Sequence, residues 1–172
     1  MGDSDHRQEL EMRNVLLVCR GSVEVGLGHI MRTQTVAQAL QGSARVHVAV
    51  LGDADIARAL LGDEIAFSCL REDAEVIRLI DALEPDTVVF DMLAFDPESF
   101  TAVRERCVTV CISPIFNCLP EVHLAFSRAA FPEHRRLSRP GGPAIRTGCR
   151  YATIGEHCRR IDSELYRANL SR

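Results

Sequence analysis

His29 is the residue of this chain best placed by its surroundings to do chemistry. It lies in the stretch Gly21 to Arg32, read as G-S-V-E-V-G-L-G-H-I-M-R, where an apolar run ends and an amphipathic one begins. The chain therefore turns there from strand to helix, with His29 on the first helical turn. A neutral imidazole in that position can accept a proton as a general base. The free N–H groups of a helix start also receive a phosphate or a developing oxyanion. A second role stays open from the residues alone, because a histidine at a helix cap can serve the helix and nothing else.

Gly26 and Gly28 flank Leu27 as a G-x-G, a pattern that gives close packing or unusual backbone angles. It lacks the third glycine of the dinucleotide fingerprint, and no P-loop lysine follows, so nicotinamide and ATP-type cofactors lose ground and none is expected. Arg32, one helical turn after His29, can pair with a phosphate or a carboxylate, or stand exposed on the helix. Asp91, at the end of the run Val88-Val89-Phe90-Asp91, can orient a sugar or His29, or merely cap a turn. Cys107, Cys111, Cys118 and His123 are metal-ligand types, but their spacing matches no common zinc pattern and no metal is expected.

The elements that must hold these residues alternate along the chain. Asn14 to Arg20 is an apolar run without helical period, as in a strand buried on both faces. His29 to Gln41 carries Ile30, Thr33, Val36, Ala37 and Leu40 at helical spacing and is ended by Gly42. Strands are expected at Arg45 to Leu51, Glu64 to Cys69, Asp86 to Phe90 and Val108 to Ile112, with helices at Ala54 to Leu61, Asp73 to Leu83 and Pro97 to Arg106. A sixth strand is read at Val122 to Phe126, a loop from Phe131 to Pro143 and a terminal helix from Gly155 to Leu170. Such repeated units predict an α/β fold, a Rossmann-like parallel sheet with helices on both faces and ligands at the carboxyl ends of the strands.

Composition narrows the setting. The chain has 172 residues, 47% of them hydrophobic, enough to bury one core. No apolar run is long enough to cross a bilayer and Met1 to Arg13 is polar, so a cytoplasmic protein without a membrane span is expected. The seven cysteines are odd in number and several sit in strand-like runs, which favours reduced, buried thiols. All 20 basic residues are arginine, which excludes lysine Schiff-base chemistry. Glu133 to Arg172 carries a balance of +5 and the first 132 residues −9. That basic tail suits a pyrophosphate, an acidic partner or simply a solvated helix. The overall acidity and scarcity of aromatic residues in the basic part argue against nucleic acid.

The string Gly21 to Arg32 followed by T-Q-T-V-A-Q-A-L resembles the N-terminal signature of the nucleotide-sugar hydrolases of pseudaminic acid biosynthesis and the related spore-coat polysaccharide proteins, which are similar in fold to GT-B glycosyltransferases. Ser22, Gly26, Gly28, His29 and Arg32 carry the match, with Ala37 and Leu40 behind. Val88-Val89-Phe90-Asp91 is similar to the family's strand ending in aspartate, and G-C-R-Y-A-T-I at 148 to 154 to its late G-x-x-Y-A segment. The resemblance runs from Asn14 on, thinly between motifs. It implies hydrolysis of a UDP-linked amino sugar, or a glycosyltransferase-like reaction in surface polysaccharide biosynthesis. His29 would activate water or an acceptor hydroxyl, and Ser22, Gly26, Leu27, Gly28, Arg32, Asp91 and Tyr151 would contact the substrate.

The chain departs from the family at three places. Val18 and Arg20 stand where members carry an arginine and an aspartate, and Ser113 and Pro114 replace paired aspartates after the fifth strand. The family's second Rossmann-like domain, which holds most of the nucleotide, would begin where this chain stops. The implied layout is a flexible segment 1–13, a GT-B-type N-terminal domain 14–154, and a helix or linker 155–172 leading to a second domain or partner subunit. Homo-oligomerisation through the exposed domain face is a further expectation. The rival expectation is a non-catalytic binding or assembly module that keeps the fold and docks a partner.

Overall fold

The computed structural model describes residues 12–23, 26–113, 115–128, 137 and 140–155. Nearly all of segment 1–13, Pro114, most of the Phe131 to Pro143 loop and the expected terminal helix beyond Gly155 lie outside them. Along the described chain run β1 (Arg13–Gly21), α1 (Gly28–Leu40), β2 (Ala44–Gly52), α2 (Ala54–Leu61), β3 (Phe67–Leu70), α3 (Glu75–Leu83), β4 (Thr87–Asp91), α4 (Pro97–Arg104), β5 (Val108–Cys111), β6 (Leu124–Ser127) and β7 (Ala144–Thr147).

The strands form one parallel sheet in the order β3-β2-β1-β4-β5-β6-β7. The fold is therefore α/β and Rossmann-like, as the alternation predicts. The unpatterned apolar runs are explained by burial on both sides of the sheet. In β1, Leu16 and Val18 join the core beneath α3 and α4, whereas Leu17 and Cys19 join the one beneath α1 and α2. A slip of one residue would exchange the two sets. The α3/α4 side is packed around Phe90, whose ring lies 5.1, 5.4 and 5.3 Å from those of Phe95, Phe100 and Phe116.

Helix starts follow local chemistry. Asp53 accepts from the N–H groups of Asp55 (2.8 Å) and Ile56 (3.1 Å) to begin α2, and Asp96 accepts from Ser99 N–H (2.8 Å) ahead of Pro97 to begin α4. Both carboxylates stand at strand-to-helix turns.

Most element ends differ from the sequence expectation by a residue or two, two strand starts have a visible cause, and one strand is additional. The third strand begins at Phe67 instead of Glu64, because residues before it bend to bury Ile65. The sixth begins at Leu124 instead of Val122, because a 3-10 turn at Leu119–Glu121 leads into it. β7 was not expected at all. It is a short edge strand, A-I-R-T, with no fully buried residue to give it a pattern.

The chain order reverses between β1 and β4, which are neighbours in the sheet. Loops after these two strands depart to opposite faces and open a crevice at their carboxyl ends. His29 and Asp91 border that crevice.

Candidate active site

The crevice is shaped first by backbone. Gly26 has φ +98, a conformation that L side chains rarely adopt, and its N–H donates to the Ser22 carbonyl at 2.8 Å, closing the loop after β1. Two strands must also pass very close: a Cβ on Gly52 would stand 2.0 Å from the Gly21 carbonyl oxygen. Gly28 is different, since its φ is ordinary for a side chain and a Cβ there would meet nothing within 4 Å. Neither strain nor packing requires glycine at 28, and its side opens onto free space.

Leu27 precedes α1 without a side-chain cap, and the first turn holds no acidic residue. Among the described residues no side chain caps the N–H groups of the helix start beside His29.

Asp91 reaches the same place from β4. Its partner in register is Cys19 at the end of β1, and alternation puts it on the face of Val89, the side that α1 covers. The Asp91 side chain is 1% exposed, that of His29 15% and that of Arg32 34%. His29 Nδ1 lies 2.7 Å from Asp91 Oδ1. Arg32 forks onto the same carboxylate, its Nε donating to Oδ2 at 2.7 Å and its Nη2 to Oδ1. Such a two-point fit fixes both groups.

Arg32 Nη2 is also 2.9 Å from His29 Nδ1. A single ring nitrogen cannot both donate to Asp91 and accept from Arg32. We assign the proton to Nδ1, donated to Asp91, because that contact is the shorter and Arg32 already has two carboxylate acceptors. The opposite ring nitrogen, Nε2, then carries a lone pair, and no described residue hydrogen-bonds to it. The arrangement is an oriented imidazole of the kind that takes a proton from a bound hydroxyl.

Electrostatics reinforce these roles. The hydrogen bond to Asp91 raises Arg32 above its usual range, so it remains a cation. Burial, chiefly, pushes the thiols of Cys19 and Cys111 up to about 12, and the Asp91 charge adds to it. Both stay protonated at neutral pH and offer no thiolate to the site. Among the described residues no group of three or more Cys, His, Asp or Glu side chains is arranged to hold a metal ion.

Of the residues singled out from the sequence, His29, Arg32 and Asp91 come together in one hydrogen-bonded cluster, with Gly26, Leu27, Gly28 and Ser22 in the loop that borders it. Tyr151 lies elsewhere: its ring packs on Phe126 at 5.3 Å over the sheet, beside the Arg150 guanidinium. Arg20, noted in the sequence only as a departure, donates through Nη2 to Asp73 Oδ1 at 2.5 Å, while Asp73 Oδ2 accepts from Asp96 N–H at 2.8 Å. Nothing in the sequence signals that pairing, which spans 53 positions. Ser113 is buried and bound to Cys111, accepting from its thiol at 3.0 Å. Around the mouth, Val23, Leu27, Met31, Leu93 and Ile115 are exposed large apolar side chains on the loops after β1, β4 and β5 and on the first turns of α1.

No family model and no curated protein matches this chain. Among solved structures it is similar to the hypothetic protein SMU.573 from Streptococcus mutans, at 19% identity and a TM-score of 0.47, over 67% of this chain and 46% of that one. The chain thus spans less than half the length of that structural neighbour.

Proposed function

We propose that this chain is the sugar-side half of a nucleotide-sugar hydrolase or a glycosyltransferase-like enzyme acting on UDP-linked amino sugars. The observation that carries this proposal is the His29–Asp91 pair, with Nδ1 bound to the carboxylate and no described residue hydrogen-bonded to Nε2. In the reaction, Nε2 takes the proton of a water or acceptor hydroxyl while its oxygen bonds to the anomeric carbon. The bond from that carbon to the phosphate oxygen breaks, and its electron pair leaves with UDP. Asp91 holds the ring and stabilises the imidazolium that forms, in the manner of a carboxylate behind a catalytic histidine.

Two further features support the proposal. Gly28 leaves space for a ligand to approach the backbone at the uncapped helix start, where a phosphate is favoured. The apolar side chains around the mouth suit a covering surface, supplied by a second domain or a partner subunit.

A second reading rests on the same cluster. Arg32 and His29 satisfy Asp91 within the chain itself, which is also how a purely structural lock would be built. The chain would then be a non-catalytic module that docks a partner through its apolar mouth.

The test is incubation with UDP-amino sugars, of the chain alone and together with the protein encoded beside it, following UDP release. Release in either case supports the enzyme. Its absence under every pairing, with the partner bound, favours the docking module.

A further inference from the structure

The strands of the sheet are joined unequally. Among the described residues β4 and β5 run in register over four positions, but β5 and β6 over two, Val110 with Leu124 and Cys111 with Ala125. Past that junction β6 and β7 again pair over four. The last two strands are thus better joined to each other than to the rest of the sheet.

A side chain extends the narrow junction. His123, just ahead of β6, donates its main-chain N–H to the Thr109 carbonyl at 3.0 Å, and its own carbonyl accepts from the Ala144 N–H at 2.9 Å at the start of β7. One residue therefore touches three strands. In return the Thr109 N–H donates at 3.0 Å to Nδ1 of the His123 ring, which stands where a main-chain carbonyl would complete the ladder. The Thr109 hydroxyl lies 2.9 Å from the same nitrogen and accepts from the His123 N–H at 3.2 Å. Thr109 is fully buried, so its N–H has to be paired. Because a main-chain N–H can only donate, Nδ1 must be the bare nitrogen of the ring and Nε2 the protonated one.

A carbonyl in this place would accept at any pH, whereas an imidazole can take up a second proton, and here that proton goes to Nδ1. The ring would then turn a donor toward the Thr109 N–H and lose its grip. His123 is exposed, so the proton arrives directly from solvent. On the cleft that the ring borders, Arg13 of β1 stands 3.5 Å from Asp86, and Arg106, after α4, 3.9 Å from Asp81 of α3. Arg104 of α4 donates through Nε to the Glu121 carbonyl at 2.7 Å, and Glu84, Glu105 and Cys107 face the same cleft. Burial, chiefly, raises the Cys107 thiol, which stays protonated. Of these types of side chain, imidazole is the one that ordinarily changes charge between about pH 5 and 8.

We propose that His123 is a pH-sensitive clasp, which when neutral fastens the β6–β7 pair to β5 and when protonated lets that pair loosen from the sheet. The proposal is independent of the chemistry at His29.

Hydrogen exchange on the full chain tests it, read as protection factors so that the intrinsic pH dependence of exchange cancels. From about pH 7.5 to about pH 5, protection of the Thr109 amide and of amides across 124–127 and 144–147 should fall about tenfold, as for the loss of one hydrogen bond. His123→Asn puts an amide oxygen where Nδ1 stood and does not titrate in this range, so its protection should hold at both pH values. Equal protection at both in the unmodified chain overturns the proposal. So does a fall that His123→Asn shares, or one confined to Thr109 while β6 and β7 keep their protection. Should the variant fail to fold, imidazole ¹⁵N spectra of the unmodified chain decide: near pH 7.5 the neutral His123 ring should carry its proton on Nε2, and a proton on Nδ1 refutes the clasp.

Discussion

Asp91 and Asp73 each hold an arginine at the carboxyl end of the sheet, but their other partners differ. Asp73, in the loop after β3, gives one oxygen to Arg20 and the other to the Asp96 N–H, so it ties two loops together. Asp91 is more deeply buried, takes Arg32 at two points, and uses one oxygen again for an imidazole whose far nitrogen no described residue hydrogen-bonds. The first arrangement ends in backbone and the second ends in a group that can change its protonation. An ion pair at this edge of the fold is therefore not in itself a mark of chemistry; what distinguishes Asp91 is the ring it orients.

Asp91→Asn should break the contrast most severely. An amide cannot accept the Arg32 fork and the His29 proton together, and it leaves a partly buried guanidinium short of a partner. A stability loss of about 3 kcal/mol is expected in urea denaturation, with UDP release falling by roughly three to four orders of magnitude, as when a catalytic histidine loses its carboxylate.

Arg32→Lys keeps the charge and removes the fork. If Arg32 positions Asp91, kcat should fall about tenfold with KM little changed; if it instead grips a substrate phosphate, KM should rise. Smaller again is Gly28→Ala, which is predicted to raise KM a few-fold by filling the space beside the helix start. Its melting temperature should hold or rise, because alanine suits a helix better than glycine by about 0.5–1 kcal/mol. Asp73→Asn should have the least effect on catalysis, leaving UDP release unchanged and costing about 1 kcal/mol or less, as expected for a partly exposed pair. A catalytic loss there comparable to that of Asp91→Asn would erase the distinction between the two pairs.

Much of the second pair's frame was legible in the sequence. β1, α1 and β4 are marked by uninterrupted apolar runs or helical spacing, and the turn after β1 by its glycines. His29 orienting on Asp91 stood among the alternatives, since both fall at strand ends, but only the β1–β4 pairing selects it: the residues are 62 positions apart. The double use of Asp91 by Arg32 and His29 is likewise a matter of three-dimensional convergence. The Arg20–Asp73 tie left no trace, because an ion pair between the end of β1 and the loop after β3 has no period. β7 was missed for a related reason, being held by its backbone pairing to β6 while its side chains are all partly or fully exposed.

The account's central claim is that His29 is the base. The most direct measurement compares UDP release from UDP-amino sugars by the wild-type chain and by His29→Ala, each paired with the same partner and each confirmed folded. Because His29 stands on the first turn of α1, outside the two apolar cores, the substitution should leave the fold intact and lower the rate by about 10²–10⁴-fold, the range of general-base catalysis. A rate unchanged by His29→Ala would contradict the claim.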